Sequence, residues 1–323
     1  MERRIILPKK GDYNVFKFEE IRNDKVGPNE VRIEVHFSGV NFADCLMRKG
    51  LYQDAPGYPF TPGYEVSGII TEVGENSSFK VGQKVMAGTL FNGYCSEIIL
   101  PEGQTLALPE NYSLAQGASV LVSYLTSYMV FMAQARVKSG DRILIDCATG
   151  ALGSLSYEIL KNYNVEMVGL TSSAHKKNLF KQKGRTLLLA SELTDQKFDI
   201  ILNSRGGRTI SDDFNRLRPN GRLVSLGISN ALNASFINKW KTLLNMPWFW
   251  IVKLINNNKG VFGLNLLKMF SYPETIEQAL KGFNEFNIVP PEVTVFKAEE
   301  IGNAQRFIEE KKSMGKVLLS WRD

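Results

Sequence analysis

The stretch "GDRILIDCATGALGSLSYEILK", Gly140 to Lys161, runs from an apolar segment through a turn of small residues into a helical pattern. Its centre is six residues, Ala148, Thr149, Gly150, Ala151, Leu152 and Gly153. Where a strand turns tightly into a helix, unpaired N–H groups face outward with the positive end of the helix dipole behind them, and phosphate binds well there. The A-x-G-x-x-G spacing has a physical reading. Gly150 allows a tight turn and keeps a Cβ out of a ligand's path, Gly153 lets helix and strand backbones approach, and Leu152 is placed to anchor the helix start in the core. Alone, the pattern is a glycine-bearing connection. On the first strand of an alternating series it points to a dinucleotide.

That alternation is present. Arg142–Cys147, Val165–Leu170 and Phe198–Asn203 read as strands, followed by "TISDDFNRL" as a helix, "RPNG" as a turn, a strand Arg222–Leu226 and a last strand "GVFGL". Upstream, "SLAQGASVLVSYLTSYMVFMAQA" has apolar residues at helical spacing, with Ser113 placed to cap its start. Strands and helices at this spacing imply a parallel, doubly wound sheet. The first hundred or so residues differ in texture. Val31–Phe37 alternates apolar and charged, and "EVSGIITEVG", "GQKVMAG" and "GYCSEIIL" are short strands between glycine turns, which suggests a compact barrel or sandwich. The tail adds a helix Pro273–Asn287, a strand "EVTVF", a helix Ala298–Ser313 and a strand "GKVLLSW".

Composition narrows the function classes. The 323 residues are 44% hydrophobic and 22% charged, ordinary for a globular chain of two domains. The net charge of +6 is dispersed and no nucleic-acid module is present, so no nucleic-acid partner is expected. Three scattered cysteines, Cys45, Cys95 and Cys147, argue for a reducing compartment. The N-terminal "MERRIILPKKGDYNVF" is not a signal peptide and no uninterrupted apolar span is long enough for a membrane, so the expected location is cytoplasmic.

Cofactor choice is read at the end of the second strand, where an NAD site places Asp or Glu. Here Thr171, Ser172 and Ser173 occupy the tip, with Lys176 and Lys177 just beyond. Hydroxyls and ammonium groups suit a 2′-phosphate, and NADP (NADPH) is expected rather than NAD.

The chain also resembles the medium-chain dehydrogenase/reductase superfamily, in its zinc-free quinone oxidoreductase group. The resemblance runs nearly end to end through "GVNFADCLMRKGLY", "PGYEVSGIITEVGENSSFKVGQKV", "LTSYMVF", "ATGALG" and "RLRPNGRLVSLG". "YLTSYMVF", the aromatic insert and "EEKKSMGKVLL" are similar to the vesicle amine transport branch. The resemblance implies an α/β protein in which a GroES-like catalytic domain (1–122 and 266–323) holds an inserted Rossmann NADP-binding domain (123–265), with the cofactor in the cleft between them. It implies a homodimer paired through "GVFGL", and a quinone or α,β-unsaturated carbonyl (enone) as substrate. By resemblance Asn41 and Tyr52 line the nicotinamide and substrate cleft, Thr126 contacts the nicotinamide side, and Asp44 ties the loop. Asn41 and Tyr64 stand where zinc-dependent relatives supply Cys and His, and with two histidines in the chain no metal is expected.

The chain departs from the family pattern at Leu46, where a tyrosine is frequent, at Ala151, where a glycine is common, and at Asn203, where an aspartate is usual. Between Lys177 and Asp199 it is short, with little room for the usual strand and helix. The insert Phe236–Gly260 mixes Trp240, Trp248, Phe249 and Trp250 with Lys239, Lys241, Lys253 and Lys259, which suits either peripheral membrane contact or a packed seam. Two functions follow as expectations: an NADPH-dependent quinone or enone reductase, or a dinucleotide-binding, membrane-associated protein with little catalysis.

Overall fold

The computed structural model describes residues 2–21, 24–227, 229 and 251–322. The tryptophans of the aromatic insert, and with them most of the membrane-contact expectation, lie outside the described residues. Two compact units emerge, one built from residues 1–122 and 290–323 and the other from 123–289.

The first unit contains strands β1 (Arg3–Ile6), β2 (Lys17–Glu20), β3 (Glu30–Val40), β4 (Glu65–Val73), β5 (Lys84–Gly88), β6 (Glu97–Pro101) and β7 (Thr105–Ala107). β3 is its spine. Val31, Ile33 and Val35 are fully buried while the residues between them are not, the period of two that makes a half-buried strand. Each such side chain contributes roughly 1.5–3 kcal/mol on burial, enough to hold the register of β3 against β4, β6 and a strand from the chain's far end. Helix α1 (Phe42–Arg48) follows directly, and helix α2 (Leu114–Tyr128) starts at the expected cap, where Ser113 Oγ accepts from Gln116 N at 3.2 Å and Gln116 Oε1 accepts from Ser113 N at 2.8 Å.

The second unit is a six-stranded, all-parallel sheet of β8 (Arg142–Ile145), β9 (Glu166–Thr171), β10 (Leu187–Leu189), β11 (Phe198–Asn203), β12 (Leu217–Ser225) and β13 (Gly260–Gly263). Its order is β10-β9-β8-β11-β12-β13, so chain direction across the sheet reverses between β8 and β11. Helices α3 (Ala151–Leu160), α4 (Ala174–Gln182) and α5 (Arg208–Arg216) connect the strands. Leu144, Phe198, Ile201 and Leu223 are buried to 2% or less in its core, as strands covered on both faces require. The first unit is then completed by β14 (Val293–Lys297) and β15 (Lys316–Ser320), β15 running antiparallel to β3.

Three details differ from the sequence reading. The second unit extends to Val289 rather than 265, because the helix Pro273–Glu285 belongs to it. Tyr124 Oη donates to Ala279 O at 2.7 Å, Tyr124 meets Phe283 edge-on at 5.1 Å, and Val289 N donates to Glu158 Oε2 at 3.2 Å. "RPNG" does not precede β12 but loops out within it: Phe198 pairs with Leu217 and Ile200 with Arg222, leaving residues 218–221 outside the ladder, with Asn220 left-handed at φ 65°. The short Lys177–Asp199 region does house a strand, the three residues of β10, but a single 3₁₀ turn, Ala190–Glu192, replaces the following helix. Among the described residues one helical run, Leu114–Gln134, is long and apolar enough to cross a membrane, yet 67% of its apolar window is buried in the protein, as in a core helix.

Candidate active site

At the end of β8 the chain turns through Asp146–Gly150 into α3. The left-handed residue of this turn is Cys147, at φ 53°, whereas Gly150 is extended at φ −87°. The backbone therefore does not demand glycine at 150, contrary to the tight-turn expectation. Among the described residues, a Cβ there would find Cys147 O alone, at 3.6 Å, an ordinary van der Waals contact. Gly153 is the reverse. A Cβ there would lie 2.4 Å from Ala148 Cα, and no side chain can enter. Ala148 is fully buried, Ala151 half-buried. Leu152 is also half-buried rather than a core anchor. Its carbonyl is what is held, accepting from Ser156 Oγ at 2.8 Å and Ser127 Oγ at 3.3 Å. Ser127 lies on α2 beside the half-buried Thr126, which places Thr126 near the first turn of α3. Gly150 has no side chain with which to cap α3, so the first N–H groups of the helix receive no side-chain cap from that residue.

The crevice between β8 and β11 carries polar residues that the spacing did not reveal. Asp146 Oδ2 accepts from Ser204 N at 3.1 Å, Ser204 Oγ at 3.2 Å and Arg205 Nε at 2.9 Å, tying the carboxyl ends of the two strands together. Arg205 also reaches Asp213 at 3.4 Å, and Asn203 Nδ2 donates to the same carboxylate at 2.6 Å. Burial opposes the Arg205 charge, but Asp146 and Asp213 outweigh it and raise its pKa. Asp213 is pushed up to about 6, chiefly by burial.

At the carboxyl end of β9, Thr171 Oγ1 accepts from Ser173 N at 3.2 Å and Ser173 caps α4 by accepting from Lys176 N at 3.3 Å, while Ser172 is exposed. Lys177 is held by both oxygens of Glu192, at 2.5 and 2.6 Å. The structure thus places Thr171, Ser172, Ser173 and Lys177 at one strand end, and adds a carboxylate that the sequence reading did not anticipate.

The first unit holds Asn41 in a buried charged hub. Its oxygen accepts from Lys316 Nζ at 2.7 Å and its Nδ2 donates to Glu65 Oε1 at 3.2 Å; Lys316 and Glu65, 2% and 0% exposed, are ion-paired. Glu65 Oε2 also accepts Val122 N at 3.0 Å. Asp44 ties the loop as expected, accepting from Asn41 N and Tyr94 Oη, both at 2.7 Å, and burial pushes its carboxyl up to about 6. Tyr52 is half-buried, its ring 6.5 Å from that of Tyr64, whose hydroxyl burial and then Tyr52 push far above the usual phenol range. Lys316 lies 275 residues from Asn41, beyond any local spacing signal. A separate cavity of about 390 Å³ opens in this unit between Arg4, Glu19, Phe60 and Phe91; neither Asn41 nor Tyr52 lines it.

Known proteins share this architecture. Residues 27–141 match the alcohol dehydrogenase GroES-like domain and residues 175–319 the zinc-binding dehydrogenase family. The chain is 30% identical to the synaptic vesicle membrane protein VAT-1 homolog of Rattus norvegicus, over 91% of this chain and 77% of that protein. It is 31% identical to quinone oxidoreductase-like protein 2 of Mus musculus, over 94% and 88%. The crystal structure of Escherichia coli quinone oxidoreductase complexed with NADPH superimposes with a TM-score of 0.84 at 21% identity, covering 98% of this chain and 99% of that one, a likeness of fold. Sheet order, glycine turn and sequence identity agree, and the chain belongs to the medium-chain dehydrogenase/reductase superfamily, with VAT-1 and quinone oxidoreductase-like proteins as relatives.

Proposed function

We propose that this protein is an NADPH-dependent oxidoreductase that reduces a quinone or an α,β-unsaturated carbonyl. The observation that carries the reading is the glycine turn at the β8/β11 reversal, where Gly153 is sterically obligatory and Gly150 meets no described side chain. Ligands of open α/β sheets bind at such a reversal, beyond the carboxyl ends of the strands. Ala148, Gly150, Ala151, Leu152 and Gly153 would cradle the diphosphate, Thr126 the nicotinamide side, and Thr171, Ser172, Ser173 and Lys177 the 2′-phosphate. The relative crystallised with NADPH supports this assignment.

Bound cofactor would supply hydride to the β-carbon of the conjugated carbonyl. The protein's share is to stabilise the enolate oxygen and provide one proton. Lys316 and Glu65 occupy the oxygen and one hydrogen of the Asn41 amide, so its second hydrogen is the donor presented to the substrate oxygen. Tyr52 is the proton source. We read the chemistry as independent of zinc. Asn41 already binds an ammonium, the Tyr64 phenol resists ionisation, and among the described residues no group of three His, Cys, Asp or Glu side chains could hold a metal.

The test is NADPH oxidation over a panel of quinones and enones. Turnover that falls at least tenfold in Tyr52→Phe and Asn41→Ala supports the reading, by the size usual for general-acid and oxyanion contacts. The name of the VAT-1 relative favours a second reading, a dinucleotide-binding protein on membranes with little catalysis. Sedimentation with anionic vesicles in the absence of turnover would favour it. We further propose a homodimer paired through β13, the last strand of the described sheet; a monomer mass by light scattering at micromolar concentration would refute this.

A further inference from the structure

We propose that Glu192 sets the cofactor preference of this protein, by competing with the 2′-phosphate of NADPH for Lys177. The inference rests on the dinucleotide reading above and concerns a residue outside the glycine turn and outside the tip of β9.

The placement follows from the sheet. β10 pairs with β9 in register, Leu189 opposite Thr171, so the turn Ala190–Glu192 emerges beside Thr171, Ser172 and Ser173. Glu192 is fixed in that turn because its Oε2 accepts the Leu189 N–H at 2.8 Å. From there both of its oxygens reach the Lys177 ammonium, and the ion pair and the Leu189 N–H together hold its carboxyl below the usual range. An NAD site takes its carboxylate from the end of the second strand. In this chain the second strand ends in hydroxyls and the third strand's turn delivers the carboxylate instead.

Magnitudes decide what such a pair can do. Both side chains are partly exposed, at 28% and 39%, and ion pairs of that kind are weak because water and salt screen them. A phosphate dianion can therefore take Lys177 from Glu192, but does so with a carboxylate left close by. With NADH the pair stays intact, and Glu192 has lone pairs to offer a ribose hydroxyl. The wild-type protein is thus expected to bind NADPH with only a modest advantage over NADH. The carboxylate, rather than any shortage of cations, limits that advantage.

The experiment is calorimetry with 2′,5′-ADP and 5′-AMP, which report the adenosine half without nicotinamide or turnover, repeated with NADPH and NADH. Glu192→Gln should tighten 2′,5′-ADP and NADPH by about five- to tenfold, the scale of one neighbouring like charge near a protein surface. 5′-AMP and NADH should be unchanged or weaker, and the gain should vanish in Glu192→Gln/Lys177→Gln. Asp195→Asn, an exposed carboxylate three residues along the chain, controls for net charge. Wild-type binding with no gain in Glu192→Gln, or an equal gain in Asp195→Asn, overturns this inference and leaves the dinucleotide reading standing. Failure of wild type and variants alike to bind any of the four ligands overturns both.

Discussion

The glycine turn of the second unit and the Asn41 hub of the first are built by opposite means. The turn is made of consecutive residues, and its working parts are backbone: a missing Cβ at Gly150, a forced contact at Gly153 and a first turn of α3 without a side-chain cap from Gly150. The hub is made of side chains from a helix cap, β4 and β15, and its working parts are charges removed from water. A site made of backbone tolerates changes of side chain as long as small residues stay small. A site made of buried charge fails when any one member is removed.

The largest expected effect breaks the hub. Lys316→Met should destabilise the first unit by about 3–5 kcal/mol, because Glu65 is left as an uncompensated buried charge. Adding Glu65→Leu should recover part of this. The Val122 N–H and Asn41 amide then lack their acceptor, a remaining cost of roughly 1–3 kcal/mol. Chemical denaturation of the three proteins checks the order; a double variant no better than the single would mean the charge pair is not the cause.

This contrast also explains what could be read in the sequence. The β8 turn, the alternating strands and Ser113 as a cap lie within a few residues of their partners, and periodicity reveals them. Asn41 stands out only through the family resemblance, and its partner Lys316 is brought in by the β3–β15 pairing, which no local pattern encodes. Glu192 was hidden for a related reason, since it meets Lys177 only after β10 has folded beside β9. Leu152 misled because apolar character at a helix start signals burial, whereas here its carbonyl makes the contacts.

The next effect compares the two units through pH. Asp44 and Asp213 each titrate near 6 when folded, above the ordinary value of 3.8. A raised carboxyl pKa favours the folded state most when protonated, so the contribution is full below about pH 4 and lost as pH rises through 6, up to about 3 kcal/mol for each group. Asp213→Asn should flatten this dependence for the second unit alone. Thermal melts from pH 4 to 7, followed by a probe in each unit, would show it; an unchanged slope in that variant would exclude Asp213 as the source.

The smallest effects sharpen the division between packing and binding within one turn. Gly153→Ala should cost about 1–3 kcal/mol of stability as the added methyl meets Ala148. Gly150→Ala should leave stability within about 0.5 kcal/mol of wild type, as surface-like substitutions do, while weakening NADPH binding. If Gly150→Ala binds as wild type does, the opening at that position is not occupied by cofactor.

The order in which the chain is made gives the Lys316 contact a temporal meaning. β3, β4 and Asn41 are synthesised early, yet their counter-ion arrives on β15, after the whole second unit has been translated. Until then the nascent first unit carries a carboxylate without its counter-ion, whereas every described strand of the parallel sheet has already been made. The emerging polypeptide can therefore complete its second unit while its first unit is still unfinished, so assembly has a built-in sequence.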